Sequence, residues 1–270
     1  MNFTADKNNG RYILFLDILG FSNLVESNGV DHVYKVVDEA LQGFERWKSL
    51  NKNFRTIYFS DTFLFYQNPK GYHDCHFLDI YAIGAMLLSS LLAKGIPARG
   101  AISFGEFEVR DDSSKKHQLY FGKALIEAYK AEQRENWIGI TILPSAWKPW
   151  DQHNCCVKTY AAEGAWKIRH DEVLLLMPLL KLRIWYGDEI DQPYLDWDAP
   201  DFPNDLRAFH FLRSKTREFC DDGDFSGRVA VKYHSTMAFL REIMGESMWR
   251  WTNQVCDDEL EKKKVGQDGM

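Results

Sequence analysis

The sequence predicts an α+β fold with a βαββαβ core and a helical C-terminal extension. Three observations predict it: an apolar run at residues 12–19, a helical apolar pattern at 30–50, and two β-rich runs meeting at Ser60-Asp61. With 270 residues, 45% of them hydrophobic, the chain can bury one large core. We therefore expect a domain over residues 10–190 and a helical extension over 204–256, packed on the same domain.

The first three elements follow from local patterns. The run at 12–19 carries a single charged residue, Asp17, as expected of a strand buried on both faces. Residues 30–50 repeat apolar side chains at helical spacing, which indicates an amphipathic helix. The β-branched and aromatic residues of 54–66 indicate a hairpin with Asp61 at its tip.

The remaining elements complete the unit. An apolar helix over 79–94 ends before Gly95, and a strand over 98–104 follows. Further on, Gly122 opens a helix to about Arg134, and the next strand covers 137–142. A closing hairpin is expected from 173–177 and 181–186, an irregular connection at 188–203, helices at 205–219 and 227–251, and a frayed charged tail at 257–270.

Composition excludes several classes of function. Lys and Arg total 33 against 39 Asp and Glu, a net charge of −6, and the charges are interspersed. This balance argues against a general nucleic-acid binder or a polybasic membrane-surface protein. The chain starts without a signal-peptide pattern and has no apolar stretch of the ~20 residues that a membrane span needs. Together with five cysteines, an odd number, this predicts a cytoplasmic protein with reduced thiols.

The predicted topology brings two carboxylates to one end of the sheet. Asp17 ends the first strand, and Asp61 lies on the hairpin turn that follows. Carboxylate oxygens on rigid strands suit Mg²⁺ or Mn²⁺, and the main-chain carbonyl of Ile18 is placed to add a ligand. The alternative is structural, with Asp17 capping the next helix and Asp61 satisfying its turn.

The residues around these carboxylates resemble a known family. The segment Phe15-Leu-Asp17-Ile-Leu-Gly20-Phe21-Ser22 is similar to the first signature of class III nucleotidyl cyclases, Phe-x-Asp-Ile-x-Gly-Phe-Ser/Thr. Asp61 stands where the family has its second metal aspartate, and the stretches 95–106 and 121–128 resemble later motifs in the same order. The resemblance covers residues 10–145 and implies a ferredoxin-like cyclase core.

The resemblance also implies roles for individual residues. In the family the two aspartates hold two divalent metal ions, here Asp17 and Asp61 with the Ile18 carbonyl. The turn at Gly20, Phe21 and Ser22 opens a helix whose amides cradle the triphosphate.

The chain departs from purine cyclases at four positions. Where those enzymes have an Asn and an Arg that act on the ribose and the transition state, this sequence has Ile126 and Lys130. Lys130 remains a candidate catalytic cation, although a solvated helix face explains it equally well. Where adenylate cyclases read adenine with Lys and Asp, this sequence has Ile57 and Leu119, which cannot read a purine edge.

A short cyclase-like domain with a helical C-terminal part and aromatic residues on the base side is similar to the bacterial pyrimidine cyclases of Pycsar anti-phage defence. Among these, the uridylate cyclases are the closer match. That resemblance implies conversion of UTP to cyclic UMP and pyrophosphate by a homodimer with composite sites, and a product read by a separate effector. Arg99 is then a candidate substrate contact, with a structural ion pair as its alternative. Tyr58 and Phe121 are candidates for the walls of the base site, with Phe59 nearby. The alternatives are a cytidylate cyclase and a catalytically silent nucleotide-binding module.

Overall fold

The computed structural model describes residues 10–50, 54–67, 73–112, 117–148, 167–169, 173–176, 204–223 and 227–267. Its element order confirms the α+β prediction and the βαββαβ core. The elements are β1 (Gly10–Ile18), α1 (Phe21–Asn28), α2 (Val30–Leu50), β2 (Phe54–Phe59), β3 (Thr62–Gln67), α3 (His73–Ala93), β4 (Ala98–Glu106), β5 (Glu108–Asp112), β6 (His117–Phe121), α4 (Lys123–Arg134), β7 (Gly139–Ile142), β8 (Lys167–Arg169), β9 (Val173–Leu176), α5 (Asn204–Asp221) and α6 (Arg228–Gln267).

The main sheet has seven strands in the order β2-β3-β1-β4-β7-β9-β8. β1 pairs antiparallel with both β3 and β4, so the apolar run predicted as a buried strand lies inside the sheet. β4 and β7 pair in parallel, whereas β7, β9 and β8 pair antiparallel. β5 and β6 form a separate hairpin. β1 and its two neighbours therefore provide the rigid frame on which Asp17 is placed.

The two faces of the sheet are covered by different helices. Alternate residues of β1 point to opposite faces, because side chains in a strand alternate. Leu14 and Leu16 pack into the large apolar cluster that contains α3, whereas Ile13 and Phe15 pack on the side of α4. Asp17 continues the Ile13 and Phe15 series, so its side chain is on the α4 face.

The C-terminal helices join the same apolar cluster. Leu206, Phe209 and Leu212 of α5 are buried with residues of α3. α6 is broken at Gly245, whose φ of 70° is outside the helical region, so α6 consists of two helical segments. Within the second segment the Asn253 carbonyl accepts a hydrogen bond of 3.1 Å from the buried Arg213 of α5.

One local prediction at the C-terminal end needs correction, and another lies outside the described residues. The strand at 173–176 pairs with β7 and with 167–169. The segments 181–186 and 188–203, for which a second hairpin strand and an irregular connection are expected, lie outside the described residues. The tail predicted to fray is helical from 257 to Gln267, because α6 continues through it. Among the described residues, no helix combines the length and the apolar character needed to cross a membrane.

Candidate active site

One row of residues crosses five strands of the sheet at the end of β1. Asp17 pairs with Thr62 of β3 and with Arg99 of β4. The row continues from Thr62 to Phe59 of β2 and from Arg99 to Gly139 of β7. Because paired residues of adjacent strands point to the same face, these side chains share the α4 face with Asp17.

The β2–β3 turn brings Asp61 beside Asp17. The turn has two residues, and Ser60 adopts a φ of 55°, the left-handed conformation that such short turns require. The amide of Ile18 donates a hydrogen bond of 2.9 Å to the Asp61 carbonyl, which fixes the turn against the end of β1. The Thr62 hydroxyl donates to Asp17 Oδ1 at 3.3 Å. The structure thus brings together the two carboxylates that the sequence singled out.

The carboxyl group of Asp17 is a weaker acid than that of an ordinary aspartate. Its pKa is raised from 3.8 to about 6, first by burial and then by the negative charges of Glu132 and Asp61. The hydrogen bond from Thr62 and the positive charge of Arg99 act in the opposite direction and are weaker. Because its surroundings disfavour the ionised form of Asp17, a nearby cation would stabilise that carboxylate strongly. The electrostatics therefore favour a cation between Asp17 and Asp61.

Arg99 is held in an ion pair within the chain. Its Nε donates to Glu132 of α4, and a terminal guanidinium nitrogen donates to the Glu135 carbonyl at 2.9 Å. The side chains of Arg99 and Glu132 are 12% and 0% exposed. Of the two roles considered from sequence, this geometry matches the structural ion pair, and the guanidinium links β4 to the end of α4.

Glu132 is a site residue that sequence reasoning missed. Besides Arg99, its carboxylate accepts a hydrogen bond of 2.7 Å from the Gln133 side chain. A signal was present: Ala124, Ala128 and Ala131 form the buried stripe of α4, and Glu132 follows Ala128 by four residues. A carboxylate on the apolar stripe of a helix needs a buried partner, and here that partner is Arg99.

α1 begins next to the carboxylates. Gly20, three residues after Asp17, has a φ of 72°, a conformation that only glycine adopts without strain. The Leu24 amide donates to the Gly20 carbonyl at 3.0 Å, which closes the first turn of the helix. Phe21 packs against the apolar cluster and Ser22 is exposed. The helix is therefore anchored by Phe21, and its N-terminus, with Ser22, faces solvent.

The structure separates the two aromatic residues at the end of β2. Tyr58 is on the face opposite Asp17, where its ring contacts Phe63 at a centroid distance of 5.5 Å. Phe59 lies in the Asp17 row and is 77% exposed. The prediction that Tyr58 walls the base site is corrected accordingly, since strand alternation turns Tyr58 away and turns Phe59 towards the site.

The other predicted residues lie on α4, β6 and β2, and all except Ile57 of β2 are exposed. Phe121 is 41% exposed and carries the Arg110 guanidinium over its ring at 5.1 Å. Leu119 is exposed and Ile57 is partly buried against the apolar cluster beneath α4. Lys130 is exposed on the side of α4 away from the alanine stripe. Ile126, one helical turn earlier, is 54% exposed.

The donors present fit a divalent metal ion. Asp17, Asp61 and the Ile18 carbonyl supply hard oxygen atoms, and the negative charge of Asp61 adds to burial and to Glu132 in raising the pKa of Asp17. Within the described ranges, no group of three or more His, Cys, Asp or Glu side chains is placed to hold an ion. Two carboxylates suffice for Mg²⁺ when substrate phosphates and water complete its coordination.

Comparisons with known proteins give structural similarity only. No family model matches the chain, and no curated protein sequence matches it. Among solved structures, the chain is similar to a guanylyl cyclase (18% identity, 53% of this chain and 78% of that one, TM-score 0.44). It is also similar to a bacterial light-regulated adenylyl cyclase (16% identity, 64% and 94%, TM-score 0.46). A third is the monomeric guanylyl cyclase domain of the RhoGC fusion protein from the aquatic fungus Blastocladiella emersonii (11% identity, 63% and 95%, TM-score 0.48). All three are nucleotide cyclases.

Proposed function

We propose that the chain is a nucleotide cyclase that converts a nucleoside triphosphate into a 3′,5′-cyclic nucleotide and pyrophosphate. The observation that carries the proposal is the juxtaposition of Asp17 and Asp61, which is maintained by the hydrogen bond from the Ile18 amide to the Asp61 main-chain carbonyl. The order of the cyclase-like motifs from residue 15 to residue 128 supports it. One carboxylate at the end of β1 and one in the adjacent β2–β3 turn, beside the N-terminus of a helix, suit a triphosphate carried with divalent cations.

Each part of the site has a role in the proposed reaction. Asp17, Asp61 and the Ile18 carbonyl hold two Mg²⁺ or Mn²⁺ ions. When bound, such ions lower the pKa of the ribose 3′-hydroxyl and offset the charge of the triphosphate. Gly20 and the exposed first turn of α1, with Phe21 and Ser22, bind phosphate oxygens through backbone amides.

The proposed substrate is UTP, and the product cyclic UMP. Ile57 and Leu119 offer no polar atom to a purine edge, and the exposed rings of Phe59 and Phe121 suit stacking on one small base. We place the product, as in Pycsar defence, upstream of a separate effector that reads cyclic UMP. A cytidylate cyclase is the nearest alternative, because uracil and cytosine differ only at their hydrogen-bonding edges.

The proposed enzyme is a homodimer with composite sites. Several large apolar side chains are exposed on the α4 side of the sheet, more than a solvated surface needs. A second copy that covers this surface places its Lys130 and Phe121 near the carboxylates of its partner. The apolar residues are Phe59, Leu119, Phe121, Ile126 and Tyr129.

An equimolar mixture of ATP, GTP, UTP and CTP with Mn²⁺ tests both reaction and base. We expect cyclic UMP as the main product, and its loss by at least 100-fold in Asp17→Asn and Asp61→Asn, since both carboxylates are needed. Asp38→Asn, on the exposed surface of α2, is the matched control and should keep full activity.

Each other outcome has a defined meaning. If the main product is cyclic CMP, the enzyme is a cytidylate cyclase. If the main product is cyclic AMP, the argument that Ile57 and Leu119 exclude a purine base is wrong. Nucleotide binding without any cyclic product indicates the catalytically silent binding module. The apolar Ile126, which stands where purine cyclases have the Asn that acts on the ribose, favours that outcome.

A further inference from the structure

The C-terminal helix α6 approaches the end of the sheet where the carboxylates lie. The Ile138 amide, next to Gly139 of the Asp17 row, donates a hydrogen bond of 2.7 Å to the Thr236 hydroxyl of α6. The same hydroxyl donates to the Lys232 carbonyl at 2.8 Å, so the turn from Lys232 to Thr236 is fixed against β7. The rings of Trp137 and Phe239 add an aromatic contact at 5.4 Å. The first segment of α6 is therefore rigidly placed beside the site.

Lys232 lies in the electrostatic field of the site. Its pKa is lowered mainly by burial, and further by the positive charges of Arg99 and Arg228, while the charges of Glu132 and Asp17 raise it. Both Asp17 and Glu132 belong to the cluster described above. The side chain is half-buried, yet within the part of the chain that the structure describes its ammonium group has neither a hydrogen bond nor an ion pair.

A cation in such a position is uncommon. Partial burial costs hydration of the ammonium group, and no hydrogen bond or ion pair among the described residues replaces it. Glu132 is already paired with Arg99, so Lys232 is not needed to neutralise that buried carboxylate. An anion that enters between Asp17, Asp61 and the first turn of α1 would supply the missing partner.

We propose that Lys232 is a further substrate-binding residue, contributed by the C-terminal extension of the same chain that holds Asp17, and that it binds the triphosphate and the leaving pyrophosphate. This inference rests on the proposed function for the identity of the anion. It makes α6 part of the site. Nothing in the sequence near Lys232 indicates this, because the placement depends on the contact between Thr236 and Ile138, 98 residues apart.

The test measures pyrophosphate binding by calorimetry in the presence of Mn²⁺, on the full chain. Lys232→Met removes the charge and keeps the side-chain length, and we expect its dissociation constant to rise about tenfold or more. Lys232→Arg should restore most of the affinity. Lys215→Met, on the exposed side of α5, removes the same charge elsewhere and should bind like the wild type.

A parallel titration with uridine, which has no phosphate, should give equal results for all four proteins. Equal pyrophosphate affinity in Lys232→Met and Lys215→Met would overturn the inference, and so would a lowered melting temperature of Lys232→Met with unchanged binding, the signature of a structural lysine. Pyrophosphate binding that depends on Lys232, in a wild type that makes no cyclic nucleotide, would sustain the inference and refute the proposed function. A wild type that binds no pyrophosphate refutes the inference even if it cyclises UTP.

Discussion

At the scale of single residues, the raised pKa of Asp17 links the proposed site to stability. An aspartate whose folded-state pKa is about 6, against 3.8 ordinarily, favours folding below the ordinary pKa. That contribution is lost as the pH rises through 6. In EDTA, Asp17→Asn should therefore be more stable than the wild type at pH 7.5, by about 1 kcal/mol after solvent screening, and equally stable near pH 4. Urea denaturation at both pH values measures the difference.

The controls for this prediction use another carboxylate and a metal ion. Asp38→Asn should show no such dependence on pH, because Asp38 is exposed. Mn²⁺ should raise the melting temperature of the wild type and leave Asp17→Asn unchanged. A wild type and variant of equal stability at both pH values would show that Asp17 is not destabilised in the folded state.

A second residue-scale prediction concerns the buried pair of Arg99 and Glu132. Glu132→Gln leaves the Arg99 guanidinium largely buried without a negative partner, and we expect a loss of about 3 kcal/mol in the free energy of unfolding. Glu127→Gln, an exposed change on the same helix, should cost less than about 0.5 kcal/mol. Equal losses for the two variants would mean that the ion pair does not support the fold.

At the scale of elements, the alanine stripe of α4 sets the distance between this helix and the sheet. Ala128 is completely buried against Ala101 and Phe15, two residues before Asp17. Ala128→Leu should cost about 1–3 kcal/mol in stability through overpacking, and should reduce the proposed cyclase activity as well, since Glu132 follows on the same helix. Ile126→Leu, on the exposed face, is the control and should keep wild-type stability in thermal denaturation.

The elements also show what the sequence could predict. The apolar run of β1 and the two-residue turn are local patterns that place Asp17 at a strand end and Asp61 in a turn. The βαββαβ order then pairs β1 with β3 and brings the two residues together. The helical period of α4 was sufficient to predict that Glu132 lies on its buried stripe. The sheet face of Tyr58 could not be predicted, because β2 carries aromatic and β-branched residues on both faces and shows no apolar–polar alternation that would fix its register. Lys232 depends on a contact between distant segments, which no local pattern reports.

At the scale of the whole molecule, composite sites predict complementation between inactive chains. Asp17→Asn and Lys130→Met should each be inactive alone. Mixed in equal amounts and allowed to exchange subunits, they should recover about a quarter of wild-type activity, because half the dimers are mixed and each contains one intact site. Light scattering should show a dimer. A monomeric active enzyme, or a mixture that stays inactive although both variants are folded, dimeric and exchange subunits, would contradict the arrangement.

The hydrogen bond between Thr236 and Ile138 also bears on the synthesis of the protein. It joins residues 98 positions apart, and Thr236 leaves the ribosome long after the strands of the sheet and both carboxylates. A nascent chain can therefore pair β1, β3 and β4 early, but its site edge beside β7 stays open until the C-terminal helices have emerged and docked. Translation that stops before α6 yields a chain that has both aspartates and lacks the rigid segment that carries Lys232.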